Sequence, residues 1–213
     1  MIVNERIVSY IHSLEKTKIP LLEEMEAFAK ETNVPIIRKE MESFLTTMVL
    51  LKKPCRILEL GCAIGYSAIL MSEYMPENCK ITTIENYDKR IPIARENISK
   101  ARRGSDIELI FGDALEIVPT LTEKYDFVFM DAAKAQYINF LPPVLEVMNQ
   151  GGVLIADNVL QEGDLVESKF TVTRRNRTIH KRIREFLYEV KNSDKLSTTI
   201  IPIGDGITMS VKL

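Results

Sequence analysis

The chain has 213 residues, of which 46% are hydrophobic, and a formal net charge of −2. This length and composition predict a single domain, residues 1–213, with one sizeable core. The weak net charge argues against a general attraction to nucleic acid or membranes, so any site for a polyanion must be local.

Cysteine content and hydropathy predict where the protein works. The three cysteines contain no Cys-x-x-Cys pair, which argues against a disulfide framework or a zinc site. No apolar run approaches the roughly 18 residues of a membrane span, and the N-terminus has no signal-peptide pattern. We therefore expect a cytoplasmic protein that does not bind membranes.

Residues 1–53 predict a helical N-terminal extension, because apolar residues recur at helical spacing around Met25 and again around Leu45. Pro20 and Pro35 are each predicted to begin a helix.

From Arg56 onward, strand-like runs alternate with helical stretches, which favours a doubly wound α/β sheet. The strand-like runs are 56–60, 80–85, 107–111, 125–130 and 152–157, and the helical stretches are 66–75, 88–102, 114–121, 137–148 and 174–191. Two last strands, 197–202 and 207–213, are joined by the short turn 204–206. A connection this short predicts that they pair as an antiparallel C-terminal hairpin.

The turn after the first strand is a candidate cofactor loop. Gly61 and Gly65 have the spacing G-x-x-x-G, not the G-x-G-x-x-G that cradles a pyrophosphate. Glu85 ends the second strand, where a carboxylate accepts hydrogen bonds from ribose hydroxyls, and Asp113 follows the third strand, in a place to bind an adenine amino group. These residues suit an adenosine without a diphosphate, so S-adenosylmethionine fits better than NAD. The alternative is a tight turn without a ligand.

Polar residues follow the next two strands. Asp131, Asp157 and Asn158 offer hard oxygen ligands, which suit Mg²⁺ or a similar divalent ion such as Mn²⁺. The alternative is that they only cap the helices that follow. Lys134 lies three residues after Asp131, where it is either a general base or an ordinary surface lysine.

The segment 169–184 carries seven basic residues and no acid. The seven are Lys169, Arg174, Arg175, Arg177, Lys181, Arg182 and Arg184. Four of them form one stripe at helical spacing, opposite an apolar stripe: Arg174, Arg177, Lys181 and Arg184. A patch of one sign favours RNA phosphate as its partner. A CoA phosphate and a merely solvated face are the alternatives.

Together these motifs resemble the cation-dependent S-adenosylmethionine O-methyltransferases of the catechol and caffeoyl-CoA type, from about residue 36 to the C-terminus. The residues that carry the likeness are Glu59-Leu-Gly-Cys-Ala-Ile-Gly-Tyr-Ser67, Glu85, Asp113-Ala114, Asp131-Ala-Ala-Lys134 and Asp157-Asn158. The resemblance implies a class I methyltransferase fold, with a Rossmann-like, mostly parallel seven-stranded sheet and added N-terminal helices.

The resemblance also implies roles for individual residues. Lys134 would be the catalytic base, and the metal ligands would be Asp131, Asp157 and Asn158. Contacts with S-adenosylmethionine would come from Met41, Glu59, Gly61, Gly65, Ser67, Glu85, Asp113, Ala114 and Asp131. A homodimer is also implied, with the helices of residues 1–53 as candidates for the interface.

Within the family, the motifs most resemble a bacterial branch that methylates 5-hydroxyuridine at the wobble position of tRNA. The matching stretches are Val34-Pro-Ile36, Ala63-Ile-Gly-Tyr-Ser-Ala68, Gly112-Asp-Ala-Leu-Glu116, Asp131-Ala-Ala-Lys134 with Gln136-Tyr137 and Asn139-Phe140, Asp157-Asn-Val-Leu160 and Ile201-Pro-Ile-Gly-Asp-Gly206. The acid that touches the second catechol hydroxyl in the catechol enzymes is expected at Thr208 here, and their aromatic gatekeeper is replaced by Ala132 and Ala133. We therefore expect an open pocket that is not built for a small catechol.

The predicted function is a metal-dependent O-methyltransferase that binds the anticodon region of tRNA and forms 5-methoxyuridine. The predicted RNA contacts are Arg174, Arg175, Arg177, Lys181, Arg182 and Arg184. One alternative is an O-methyltransferase of small catechol-like or CoA-linked phenols. An alternative of another class is a non-catalytic RNA-binding protein that holds the cofactor.

Overall fold

A computed structural model of the chain describes residues 2–168 and 170–213. Lys169 of the predicted basic segment lies outside the described residues, and so does the side chain of Arg175.

Seven strands form one sheet, which confirms the sequence prediction. The strands are β1 (Arg56–Leu60), β2 (Lys80–Glu85), β3 (Ile107–Phe111), β4 (Tyr125–Met130), β5 (Met148–Ala156), β6 (Leu196–Ile201) and β7 (Ile207–Lys212). Their order in the sheet is β3-β2-β1-β4-β5-β7-β6. Strands β1 to β5 are parallel, whereas β7 runs antiparallel to both β5 and β6. The predicted C-terminal hairpin is therefore present.

Helices cover the sheet and extend it at the N-terminus. They are α1 (Glu5–Ser13), α2 (Pro20–Thr32), α3 (Lys39–Lys52), α4 (Tyr66–Ser72), α5 (Ile91–Lys100), α6 (Ala114–Ile117), α7 (Tyr137–Val147) and α8 (Arg177–Asn192). Pro20 begins α2, as predicted. Pro35 does not begin a helix: Asn33 ends α2 in a left-handed conformation, and an extended connection then leads to α3.

The sheet separates two hydrophobic clusters. Ile57 and Phe127 face the cluster that includes side chains of α2, α3 and α4. Leu58 and Val128, one residue further along the same strands, face the cluster formed with α7 and α8. This alternation follows from the two-residue period of a strand, and burial on both faces explains why the central strands are continuously apolar.

The strand ends are aligned by main-chain hydrogen bonds that continue the ladder one residue beyond each strand. The first amide after each of four strands donates to a carbonyl at the end of the neighbouring strand, at 2.9–3.0 Å: Gly112 to Glu85, Asp131 to Leu60 and Asp157 to Met130, and Gly61 to Ile84, the last residue but one of β2. The residues that follow β1, β3, β4 and β5 therefore lie along one edge of the sheet, which positions the candidate site.

Of the helices described, none combines the length and the apolar character needed to cross a bilayer.

Candidate active site

A cavity of about 370 Å³ opens at the carboxyl ends of β1 to β5, within the range of about 300–1,000 Å³ that is usual for small-ligand sites. Nine of the predicted site residues line it: Gly61, Ser67, Glu85, Asp113, Ala114, Asp131, Lys134, Asp157 and Asn158. The structure does not bring Met41, Glu59 or Gly65 to the cavity wall.

Gly61 allows the first strand to end directly against the fourth. Its φ is +95°, and a Cβ atom placed there would lie 2.2 Å from the main-chain oxygen of Asp131. Gly65, with φ of +87°, precedes α4, and its nearest neighbour would be 3.6 Å away. Of these two positions, only that of Gly61 leaves no room for a Cβ atom. Both have a left-handed backbone, which glycine adopts without strain.

Glu59 lies beneath the cofactor loop. It is fully buried and accepts hydrogen bonds from Ser67 Oγ, at 2.5 Å, and from Thr83 Oγ1. Burial raises the pKa of Glu59 to about 7, although the two hydroxyl donors oppose the shift. Glu59 thus orients Ser67, which does line the cavity.

Two carboxylates border the part of the cavity predicted to hold an adenosine. Glu85 accepts main-chain hydrogen bonds from Ala63, at 2.7 Å, and from Tyr87, at 2.8 Å, one at each oxygen. A carboxylate oxygen has a second lone pair, so both retain capacity for ribose hydroxyls. Asp113 Oδ1 accepts from Leu115 N and caps α6, which leaves Oδ2 for a ligand.

Met41 is 1% exposed and packs in the core. It shares the inward stripe of α3 with Leu45 and Val49, four and eight residues later, which is why it cannot turn towards the cavity. The wall on this side is instead the connection Pro35–Arg38, which the sequence reasoning missed as site residues. Two features of the sequence indicated this connection: Asn33, where α2 ends, and the motif Val34-Pro-Ile36.

The acidic rim forms a tight group. Lys134 Nζ donates to Asp131 Oδ1 at 2.5 Å, and Asn158 N donates to Asp157 Oδ1 at 2.7 Å. Asp157 is 3% exposed. Burial, and next the charge of Asp131, raise the pKa of Asp157 to about 7.

The rim fits a divalent ion in its chemistry. Two carboxylates and one amide provide hard oxygen donors, and a cation would offset the repulsion that raises the pKa of Asp157. The described residues contain no group of three or more His, Cys, Asp or Glu side chains that could hold a metal ion. Any ion held here would therefore depend on the amide of Asn158 as well as on the carboxylates.

Tyr137 ties the two acidic strand ends together. Its buried hydroxyl lies 3.0 Å from the carbonyl oxygens of both Met130 and Asp157. Its ring meets Phe186 of α8 edge to face, with the centroids 5.5 Å apart. Helix α8 therefore supports the rim from below.

A second cleft adjoins the rim at Lys134 and Asn158, and it contains an acid that the sequence reasoning missed. Asp205 is 9% exposed, and its Oδ1 accepts from the main-chain nitrogen of Glu162. Thr208, where the equivalent of the catechol-contacting acid was expected, is fully buried and pairs with Ala156 within the sheet. An acid is thus present in the cleft, supplied by the Gly204-Asp-Gly206 turn.

The basic residues of α8 and the turn before it do not all face solvent in the same way. The four stripe residues are exposed: Arg174, Arg177, Lys181 and Arg184. Arg184 Nη1 donates to the carbonyl oxygen of Leu165 at 2.9 Å, and Lys181 pairs with Glu185 at 3.6 Å. Arg182 is half-buried and donates to the carbonyl oxygen of Ala135 at 3.0 Å. The structure thus turns Arg182 towards the rim, away from the exposed stripe.

Comparison with known proteins identifies the family. The model of a family described as "O-methyltransferase" matches residues 12–213. The chain belongs to this family. It is an S-adenosylmethionine-dependent O-methyltransferase of the catechol and caffeoyl-CoA type.

Individual relatives agree with this assignment. A catechol O-methyltransferase of Niastella koreensis is 33% identical over 132 residues, which cover 60% of each chain. Caffeoyl-CoA O-methyltransferase 1 of Eucalyptus globulus is 28% identical over 94% of this chain and 86% of its own length. The crystal structure of a Bacillus cereus O-methyltransferase in complex with SAH superposes with a TM-score of 0.86, at 26% identity, over 98% of this chain and 97% of that chain.

The contact at Gly61 leads to a prediction for this O-methyltransferase fold. Gly61→Ala should destabilise the protein more than Gly65→Ala, because only the first substitution drives a Cβ into the main chain of Asp131. Gly65→Ala should cost about 1–2 kcal/mol from its left-handed backbone alone. Urea denaturation measures the free energy of unfolding of both variants. Equal losses would contradict the prediction, because they would mean that the main chains at Gly61 and Asp131 can move apart at no cost.

The raised pKa of Asp157 leads to a second prediction. Because the folded state holds this proton up to about pH 7 and the unfolded chain releases it near pH 4, the free energy of unfolding should fall as pH rises between those values. Asp157→Asn should flatten this slope, whereas Asp194→Asn, at an exposed site, should not.

Added Mg²⁺ or Mn²⁺ should raise the unfolding free energy of the wild type most above pH 7, where Asp157 has lost its proton. Asp157→Asn should remove most of that gain. Thermal unfolding at several pH values, with and without the ion, measures both effects. An unchanged slope in Asp157→Asn, together with no effect of either ion at pH 8, would contradict the assignment.

Proposed function

We propose that this enzyme transfers the methyl group of S-adenosylmethionine to the 5-hydroxyl oxygen of 5-hydroxyuridine, at the wobble position of tRNA, and so forms 5-methoxyuridine. Family membership supports methyl transfer to oxygen. The observation that carries the choice of RNA is the cluster of exposed basic side chains at the start of α8, close in sequence to Asn176 and Ile179, which line the cleft beside Lys134. A tRNA substrate implies a cytoplasmic location.

Cofactor binding follows from the cavity. Gly61 lets the main chain approach the ligand, the oxygens of Glu85 have free lone pairs for the ribose hydroxyls, and Asp113 Oδ2 is open to the adenine amino group. The SAH held by the Bacillus cereus relative supports this use of the cavity. Glu59 contributes from below by orienting Ser67.

The rim residues Asp131, Asp157 and Asn158 would hold Mg²⁺ or Mn²⁺. Such an ion supplies Lewis acidity, which lowers the pKa of a substrate hydroxyl and orients its oxygen for attack. The chain's own contribution is a set of hard oxygen donors on two strand ends that Tyr137 keeps in register.

Lys134 would remove the hydroxyl proton. As the new O–CH₃ bond forms, the S–CH₃ bond of the sulfonium breaks, which gives the methyl ether and S-adenosylhomocysteine. The proton passes to Lys134 Nζ, where the carboxylate of Asp131, 2.5 Å away, stabilises the resulting ammonium. General-base assistance of this kind typically contributes about 10²–10⁴-fold to the rate.

Charge in the second cleft favours a nucleobase over a phosphate as its occupant. Three acids line the cleft, Glu162, Asp164 and Asp205, together with Asn176 and Ile179 next to the basic stripe. Carboxylates repel phosphate but accept hydrogen bonds from a base N–H. The phosphates would then lie outside, on Arg174, Arg177 and Lys181.

Two alternatives remain as outcomes of the test. An enzyme for small catechols or CoA-linked phenols is favoured by the names of the relatives and by Asp205, because an acid beside the rim can also receive a second hydroxyl. A non-catalytic RNA-binding protein is disfavoured by family membership and by the intact Lys134–Asp131 pair.

The substrate proposal predicts that reversing the charge of the basic face weakens the binding of tRNA but not that of S-adenosylmethionine. Reversing Arg174, Arg177 and Lys181 to Glu should raise the KM for tRNA steeply and reduce its salt dependence, by about 0.7–0.9 in log–log slope for each phosphate that is no longer neutralised. Calorimetry should show unchanged affinity for S-adenosylmethionine, because the cavity lies apart from this face. The matched control reverses three exposed lysines elsewhere: Lys53, Lys100 and Lys195.

The assay uses tRNA that contains 5-hydroxyuridine, with nucleoside mass spectrometry as the readout, and includes a chelator arm that should abolish turnover. Equal KM values for both triple variants would show that the basic face is only solvated and does not bind tRNA. Faster methylation of a small catechol than of tRNA would establish the phenol alternative. Binding without methylation in a single turnover would establish the non-catalytic one.

We also propose a homodimer in which α1 lies at the interface. Three large apolar residues of this helix and its C-terminal cap, Ile7, Tyr10 and Leu14, are 54%, 66% and 65% exposed. Replacing all three with Ser should shift sedimentation velocity from dimer to monomer, because it removes the apolar area that association would bury. A monomeric wild type, or a variant that remains dimeric, would contradict this interface.

A further inference from the structure

We infer that Arg182 is a positioning residue for Lys134 and not an RNA contact, and that α8 thereby links its basic outer face to the catalytic turn. The inference rests on the proposed function only in taking Lys134 as the base. It departs from the sequence prediction, which grouped Arg182 with the phosphate-binding residues.

The guanidinium of Arg182 contacts one short segment. Its Nη1 lies 3.0 Å from the carbonyl oxygen of Ala135 and 3.4 Å from Gln136 Oε1. Both acceptors belong to the single 3-10 turn Lys134–Gln136, which begins with the proposed base. Bonds from a charged donor are about twice as strong as neutral ones, so this contact is a substantial restraint on so short a turn.

Arg182 is the contact that joins the turn to α8 from its outer side, and Asn139 Nδ2 of α7 also donates to Gln136 Oε1, at 2.6 Å. All three of its residues are half-exposed, and its own closing bond is Gln136 N to the oxygen of Ala133, at 2.8 Å. On the inner side, Tyr137, the residue that follows the turn, is buried, and its hydroxyl contacts the carbonyl oxygens of both Met130 and Asp157. Arg182 thus restrains the outer side of the turn and Tyr137 its inner side, and each of the two connects the turn to α8.

Helix α8 is itself rigidly seated, since Ile183 and Phe186 are fully buried in the core. Lys181, one residue before Arg182, points outward at 76% exposure. A helix turns by 100° per residue, so adjacent positions serve different sides. Phosphates bound to the outer stripe would therefore fix the same helix whose inner side restrains Lys134.

Alanine and lysine substitutions separate the two roles of Arg182. With free 5-hydroxyuridine, which has no phosphate to bind, Arg182→Ala should lower kcat by at least about 10-fold, because displacement of a catalytic group by about 1 Å can cost up to 100-fold. Arg182→Lys should recover most of the rate, since a single nitrogen makes both contacts. The KM for tRNA should change little in either variant.

Lys191→Ala provides the matched control, because Lys191 is also a cation of α8 that donates to a main-chain carbonyl, that of Thr198 at 2.7 Å, but far from the turn. It should leave kcat unchanged. Hydrogen exchange followed by mass spectrometry should show faster exchange over residues 132–137 in Arg182→Ala only, with the same melting temperature in all variants.

A raised KM for tRNA in Arg182→Ala, with unchanged kcat for the free nucleoside, would overturn the inference and return Arg182 to the RNA face. Equal loss of kcat in the alanine and lysine variants would also overturn it. If the wild type methylates neither tRNA nor the nucleoside, the proposed substrate fails. The same kcat comparison on pyrocatechol then decides the role of Arg182 independently.

Discussion

The site depends on one repeated main-chain contact, the hydrogen bond from the first amide after a strand to a carbonyl at the end of the neighbouring strand. Because four such bonds step across the sheet, Gly61, Gly112, Asp131 and Asp157 are held in line without any help from their side chains. The side chains are then free to face a ligand. Parallel strands make this possible, since all their carboxyl ends meet at one edge.

This alignment has an electrostatic cost. Burial at the strand ends, together with the nearby charge of Asp131, raises the pKa of both Asp157 and Glu59 to about 7. Glu59 is compensated by two hydroxyl donors, whereas Asp131 accepts a hydrogen bond from Lys134 Nζ. Perturbed carboxylates cluster at functional sites, and here Asp157 lines the candidate cavity while Glu59 lies beneath its loop.

The sheet was predictable from the sequence because both of its signals are local. Buried parallel strands read as largely apolar runs, and a connection as short as residues 202–206 between the last two strands permits only antiparallel pairing. The strand-end residues Glu85, Asp131 and Asp157 followed from the same runs. Boundaries set by tertiary contacts were less accurate: β5 begins at Met148, four residues earlier than expected.

Other site features were missed because they depend on which way a side chain turns. Met41 was assigned to the cofactor by resemblance, yet helical spacing with Leu45 already directs it into the core. Asp205 was overlooked because its place in the cleft depends on a hydrogen bond from the main-chain nitrogen of Glu162, 43 residues earlier in the chain. For Arg182, sequence showed the charge, but only packing shows that it points at Ala135.

Helix α8 resolves an apparent conflict in the proposed function. A polyanion must approach a site whose second cleft is lined with acids, and a uniformly basic surface would hold phosphate inside the site itself. In the proposed function, the exposed cations of α8 would attract the backbone of an RNA outside, while the three acids of the cleft would favour an uncharged base beside Lys134. Arg182, on the inner side, donates instead to the carbonyl oxygen of Ala135 and to Gln136, so its guanidinium is held against the catalytic turn and away from the outer face where phosphate would bind.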